Sequence, residues 1–187
     1  MRTATIGHAV MLVALAVTAA LLAVSTASGS SESRSPAEIY AALAKGPVLK
    51  PLPATLKASP KPKKVALSAG SKKQHAVGAV EYGNPDVVVG FLVFPSHAAA
   101  LADLKAYPPN RGPNKIVSRT PSGLPQPALL LLAHGNGYEA AYATFVVDDV
   151  LVDCWTYGKV AQTKVIESIV QANAHWALKY SLRAIRG

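Results

Sequence analysis

Hydrophobic and polar positions alternate in three different ways along the chain, and each way predicts a different kind of segment. From Ala9 to Val24 the sequence AVMLVALAVTAALLAV is apolar apart from Thr18. Arg2 and His8 precede it, and the small residues Ser25, Thr26, Ala27, Ser28 and Gly29 follow. A short basic start, an apolar run and a small-residue end are the three parts of a signal peptide, with cleavage expected after Ala27. Counted from Ile6 to Val24 the run reaches 19 residues, about enough to cross a ~30 Å hydrocarbon core, so an uncleaved anchor is the alternative. A wholly apolar helix of this length has nowhere to pack in so small a soluble domain. By either route residues 1–27 are a signal peptide or membrane anchor, and the remainder is expected outside the cytoplasm, secreted or anchored. No cysteine follows the run, which excludes a lipid-modified N-terminal cysteine.

Residues 28–73 lose hydrophobic periodicity and read as a polar, Pro/Lys-rich linker. Ser35 is a plausible N-cap and Pro36 suits a first helical turn. A short helix is therefore predicted near 36–45, ended by Gly46-Pro47. The stretch GPVLKPLPATLKASPKPKK carries five prolines among its lysines, a composition that favours extended, PPII-like backbone. Val48, Leu49, Leu52 and Leu56 are many aliphatics for a free tether, so part of it is expected to lie along the domain.

Residues 74–187 regain regular patterning. Strands are predicted at Gln74–Tyr82, Val87–Phe94, Lys115–Arg119, Ala128–Ala133, Tyr138–Val147 and Val150–Tyr157, separated by turn signals such as Gly83-Asn84-Pro85-Asp86 and Asp148-Asp149. Ser96 caps a helix that Pro108-Pro109 ends. A last helix, roughly Val160 to Ile185, sets Ile166, Ile169, Val170, Asn173, Ala177 and Tyr180 on one face. Hairpins dominate, so the fold class is α+β: a mainly antiparallel sheet of about five to six strands packed against two to three helices, preceded by the apolar export helix. Val87–Phe94 and Ala128–Ala133 do not alternate, which implies burial on both faces of the sheet centre. The second face then needs cover from the linker's aliphatics, from a homodimer partner or from an apolar ligand.

Charge sharpens this division. The chain has a formal net charge of +9, yet the eight lysines between Lys45 and Lys73 face no acid, while residues from Gln74 onward carry nine bases against eight acids. The folded part is close to neutral, unlike a domain that binds nucleic acid, and no nucleic-acid partner is expected. Lys57, Lys61, Lys63, Lys64, Lys72 and Lys73 are the candidates for contact with a membrane surface or an anionic envelope polymer; their plainer role is to keep a tether soluble. The abundance of alanine suits a bacterium of high genomic GC content.

Candidate chemistry is sparse. Cys154 is the only cysteine, so no intrachain disulfide forms, and its place in VLVDCWTY marks it as a buried small hydrophobe. The histidines lack zinc-helix spacing, and no Gly-x-Ser-x-Gly, Gly-x-Gly-x-x-Gly or Walker pattern is present. No catalytic residue, metal site or cofactor is assigned. Asp148 and Asp149 are turn residues. Asp153 shares a strand face with Leu151, Trp155 and Tyr157; together with His134, which ends a strand beside Gly-Asn-Gly, these make the candidate binding residues Asp153, Trp155, Tyr157 and His134. A water-exposed sheet edge is the plain reading of Asp153. The expected function is an exported, non-catalytic binding or interaction domain of the bacterial cell envelope. The alternatives are a small extracytoplasmic hydrolase using Cys154 or His134 with Asp153, and a carrier of an apolar ligand.

Overall fold

A computed structural model of the chain describes residues 33–46, 61–84, 86–106, 115–135, 137–159 and 162–187. The apolar leader, Lys57 and the linker aliphatics from Val48 to Leu56 lie outside the described residues. Among the described residues no helix is long and apolar enough to cross a membrane.

In chain order the elements are α1 (Pro36–Ala44), β1 (Lys63–Val65), α2 (Ala69–Lys73), β2 (Gly78–Asn84), β3 (Val87–Val93), α3 (His97–Ala106), β4 (Lys115–Arg119), β5 (Ala128–Gly135), β6 (Tyr138–Val147), β7 (Val150–Lys159) and α4 (Thr163–Arg186). The strands form one sheet of seven in the order β1-β2-β3-β7-β6-β5-β4, and every neighbouring pair is antiparallel. The class is α+β, with seven strands and four helices rather than the five to six strands and two to three helices expected. The additions are β1 and α2, three and five residues long, too short to leave a periodic signal.

One face of the sheet is closed by α4 and α1. Side chains alternate across a strand, and the positions that turn this way include Val80, Tyr82, Val89, Phe91, Leu130, Ala143, Phe145, Val152 and Cys154, all buried. The stripe along α4 meets them: Ile166, Val170, Asn173, Ala177 and Tyr180 are buried as their spacing predicts, together with Ala174, Trp176 and Ala184. Trp176 stacks on Tyr180 with ring centroids 5.3 Å apart, and both rings meet Tyr82 and Phe91 edge-on.

The short helix α1 belongs to this core. Ile39 and Leu43 are fully buried against it. The Tyr82 hydroxyl donates to the Leu43 carbonyl at 2.5 Å, and the Tyr180 hydroxyl donates to the Gly46 carbonyl at 2.5 Å. The Arg34 N–H donates to the Ile185 carbonyl at 3.1 Å. Segments 33–46 and 61–73, read from composition as linker, are thus built into the folded unit. Their prolines and lysines concealed the apolar anchors at Ile39 and Leu43.

Among the described residues the opposite face is covered over one half only. Ala100 and Leu104 of α3 pack on Phe94, Val146 and Leu151, flanked by Leu92 and Leu129. The non-alternating strand β3 is explained only in part by this arrangement: its odd positions are buried beneath α1 and α4 and Leu92 packs with the α3 cluster, whereas Val88 is buried on the part of the second face that α3 does not reach. Beyond α3, none of the described helices covers the second face.

Candidate functional site

Strand register builds, row by row, the part of this face that no described helix covers. One row across the sheet is Glu81, Gly90, Asp153 and Thr144 on β2, β3, β7 and β6. The next row towards the open end holds Val88, Trp155 and Tyr142, and the one after it Tyr157 and Ala140. Trp155 and Tyr157 therefore follow Asp153 along one face of β7. Their rings lie 4.9 Å apart, tilted by 60°, and the Tyr142 hydroxyl reaches the Tyr157 hydroxyl at 3.5 Å. Tyr157 is 45% exposed and Tyr138, on the neighbouring strand, 65% exposed. Large amphipathic rings left in water on a rigid sheet are unusual unless something covers them.

Beside this platform, where α2 and α3 approach the sheet, lies an open cleft of about 360 Å³ lined by Val65, Ser71, Glu81, Leu92, Asp103 and Asp153 among others. Asp153 accepts from the Thr144 hydroxyl at 3.0 Å. Asp103 accepts from the Ser71 hydroxyl at 3.3 Å. Burial raises the Asp103 carboxyl above its usual range, and the Ser71 bond opposes that rise. Gly90 carries no side chain between Glu81 and Asp153; a Cβ there would stand 4.0 Å from that of Asp153. The floor between the two carboxylates is consequently low.

Asp153, Trp155 and Tyr157 thus share one surface, as their alternation along the strand predicts. Asp153 is not at an edge, however: β7 is the middle strand of the seven. His134 does not join them. It sits on the α4 side, opposite Glu139 and Gly158 in register, and its Nδ1 lies 3.0 Å from Glu139 Oε1. The Glu139 side chain is only 5% exposed, and its Oε2 has no hydrogen-bond partner among the described residues. Glu139 therefore belongs with His134 and not with Asp153.

The hydrolytic constellations do not assemble. Cys154 is fully buried beneath α4, and burial, with the neighbouring Asp153 charge, holds its thiol well above the ordinary range. His134 lies four residues beyond the register row of Cys154, about 13 Å along the strands. Asp153 faces away from both. The space above this face is filled by Tyr82, Phe91, Trp176 and Tyr180.

The basic candidates fall along one margin. Lys61, Lys63 and Lys64 are exposed at the β1 edge, and Lys72 and Lys73 are exposed in the last turn of α2. The Lys64 ammonium stands 5.8 Å from the centroid of the Tyr40 ring. Sequence reasoning passed over Glu81, Asp103, Ser71 and Tyr142. The available signal was a lone acid in each of two largely apolar elements, Glu81 in β2 and Asp103 in α3.

No protein-family model matches the chain, and no curated protein matches it. Among solved structures, the extracellular domain of PknH from Mycobacterium tuberculosis superposes with a TM-score of 0.37 at 15% identity, over 62% of this chain and 82% of that one. A superposition that loose assigns neither a family nor a role.

Proposed function

We propose that the chain is an exported, non-catalytic binding domain of the bacterial cell envelope that takes its ligand on the uncovered half of the sheet. One observation carries the reading: Trp155 and Tyr157 stand in contact on the half of the second face that no described helix covers, with Asp153 next along the strand. Binding surfaces favour rigid aromatic side chains because they offer contact area at little cost in conformational entropy. Export rests on the leader pattern of residues 1–27, and the lysine margin at Lys61, Lys63, Lys64, Lys72 and Lys73 suits contact with anionic lipid or wall polymer. Lys57 extends that basic stretch in the sequence.

The test uses the fact that the two tryptophans occupy different settings. In a Trp176→Phe background, emission reports Trp155 alone. Soluble fragments of envelope polymers and lipid vesicles are titrated against the full-length chain. A saturable change in emission, abolished when Tyr157 is replaced by Ala, is expected. Unchanged emission across the series, with a solution mass twice that of the chain, assigns the face to a second copy and overturns the proposal.

A further inference from the structure

We infer that the end of the domain formed by α1 and the last turns of α4 seats against a bilayer containing anionic lipid, with phosphate headgroups entering the groove between the two helices. The inference rests on the export reading of the leader. It concerns a different face from that of Trp155 and Tyr157 and leaves the ligand there open. Charge is divided unevenly over the fold. Residues 74–175 carry six bases against eight acids, whereas segments 34–46 and 176–187 carry Arg34, Lys45, Lys179, Arg183 and Arg186 against Glu38. Lys45, Lys179, Arg183 and Arg186 are exposed. Two adjoining hollows of about 350 and 310 Å³ share Arg34 and Ala42. Ala41, Ala42 and Ala184 keep their floor low, and Arg34, Lys45 and Arg183 stand along them. The acids here are the chain-end carboxylate of Gly187 and Glu38, which accepts from the Ser35 N–H at 2.8 Å and the Ser35 hydroxyl at 2.6 Å.

A plainer role accounts for part of this set. Cations at helix C-terminal ends offset the macrodipole, which covers Lys45, Arg183 and Arg186. That effect fades within a turn, so it does not cover Lys179, and at the first turn of α1 it favours an acid over Arg34. Arg34 is nonetheless built in. Its backbone N–H donates to the Ile185 carbonyl and its Nη1 to the Ala184 carbonyl, each at 3.1 Å. A guanidinium carries its donors in a planar fork suited to phosphate, and these bonds position the fork beside the groove. Lys179 to Arg186 then extends the array by about 10 Å along α4. On the other side of α1, Lys64 of β1 stands 5.8 Å from the Tyr40 ring and continues it towards the lysine margin. An array of that extent matches several headgroups in a plane rather than one soluble anion. On the leader reading, the six residues between Ala27 and Arg34 reach no more than about 25 Å, within which this end of the domain meets the headgroup layer.

Lysine acetylation of the full-length chain, read residue by residue by mass spectrometry, tests the assignment. The chain is reconstituted with vesicles of phosphatidylcholine alone or with ~30% phosphatidylglycerol added, the anionic component to which basic clusters respond. Acetylation of Lys45 and Lys179 is expected to slow at least about threefold with phosphatidylglycerol and to recover in high salt, which screens exposed charges. Lys105 on α3 and Lys164 in the first turn of α4, both exposed, should keep their rates. Arg183→Gln combined with Arg186→Gln should reduce the slowing at Lys45. Should that variant not melt like the wild type, recovery of the wild type in salt carries the comparison alone. Equal rates in the two vesicles, or equal slowing at all four lysines, overturns the inference. So does the same slowing produced by inorganic phosphate on phosphatidylcholine vesicles, which would assign the groove to a soluble anion. A chain that floats with neither vesicle overturns it together with the membrane reading. If envelope fragments change Trp155 emission while the lysine rates stay equal, the binding face stands and only the bilayer contact has failed.

Discussion

Tyr82 and Tyr180 are side chains whose ionisation the fold opposes. Burial pushes both phenols up, and for Tyr82 the hydrogen bond with Tyr180 raises it further. An unfolded tyrosine titrates near ~10. The folded form keeps its protons above that point while the unfolded form releases them. The stability these groups contribute is therefore full below about pH 10 and is lost as the pH climbs towards their folded values. Denaturation followed at pH 9 and pH 11 should show the decline, and Tyr82→Phe should flatten it. Cys154 obeys the same physics, and its raised thiol fits a side chain used for packing. The candidate site was legible at this scale only in part. Alternation placed Asp153, Trp155 and Tyr157 on one face, because period two is a local property. It could not reveal Glu81 and Asp103, which reach the cleft from elements distant in sequence.

At the scale of elements, α1 is held less by its own nine residues than by two phenols reaching its C-terminal carbonyls from β2 and α4. An isolated helix this short is marginal in water. Tyr180→Phe removes the donor to Gly46 and leaves a carbonyl unpaired, at a cost of about 1–3 kcal/mol. The loss should appear in hydrogen exchange as faster opening of α1 amides, with α4 amides much less affected. Equal acceleration in both helices would mean that α1 is not separately anchored. Long, strongly patterned elements such as β3, β6 and α4 were readable from sequence to within a few residues at each end. The failures at β1 and α2 share a cause. Lys63–Val65 is extended, as its flanking prolines imply, but pairing with β2 is decided by a partner some fifteen residues away in the sequence. Asp153 was misplaced to an edge for a related reason: β7 adds to β3, a neighbour far away in sequence, and adjacency of that kind leaves no local trace.

For the molecule as a whole, β7 is the strand that joins two parts. The order β1-β2-β3-β7-β6-β5-β4 sets an N-terminal trio and a C-terminal trio on either side of it. A chain ended after Asp149 has no β7 and no α4, and it exposes the edges of β3 and β6 together with the large core face. Such a fragment should show no cooperative melting transition and should aggregate. A cooperative transition near that of the full chain would mean that the trios fold independently. For a polypeptide threaded through a membrane pore from its amino end, this placement has a temporal meaning. The portion that emerges first cannot lock, because its keystone is still behind it. On the export route proposed above, the chain would stay slack and pliable throughout passage and would set only when its final stretch had come through on the far side.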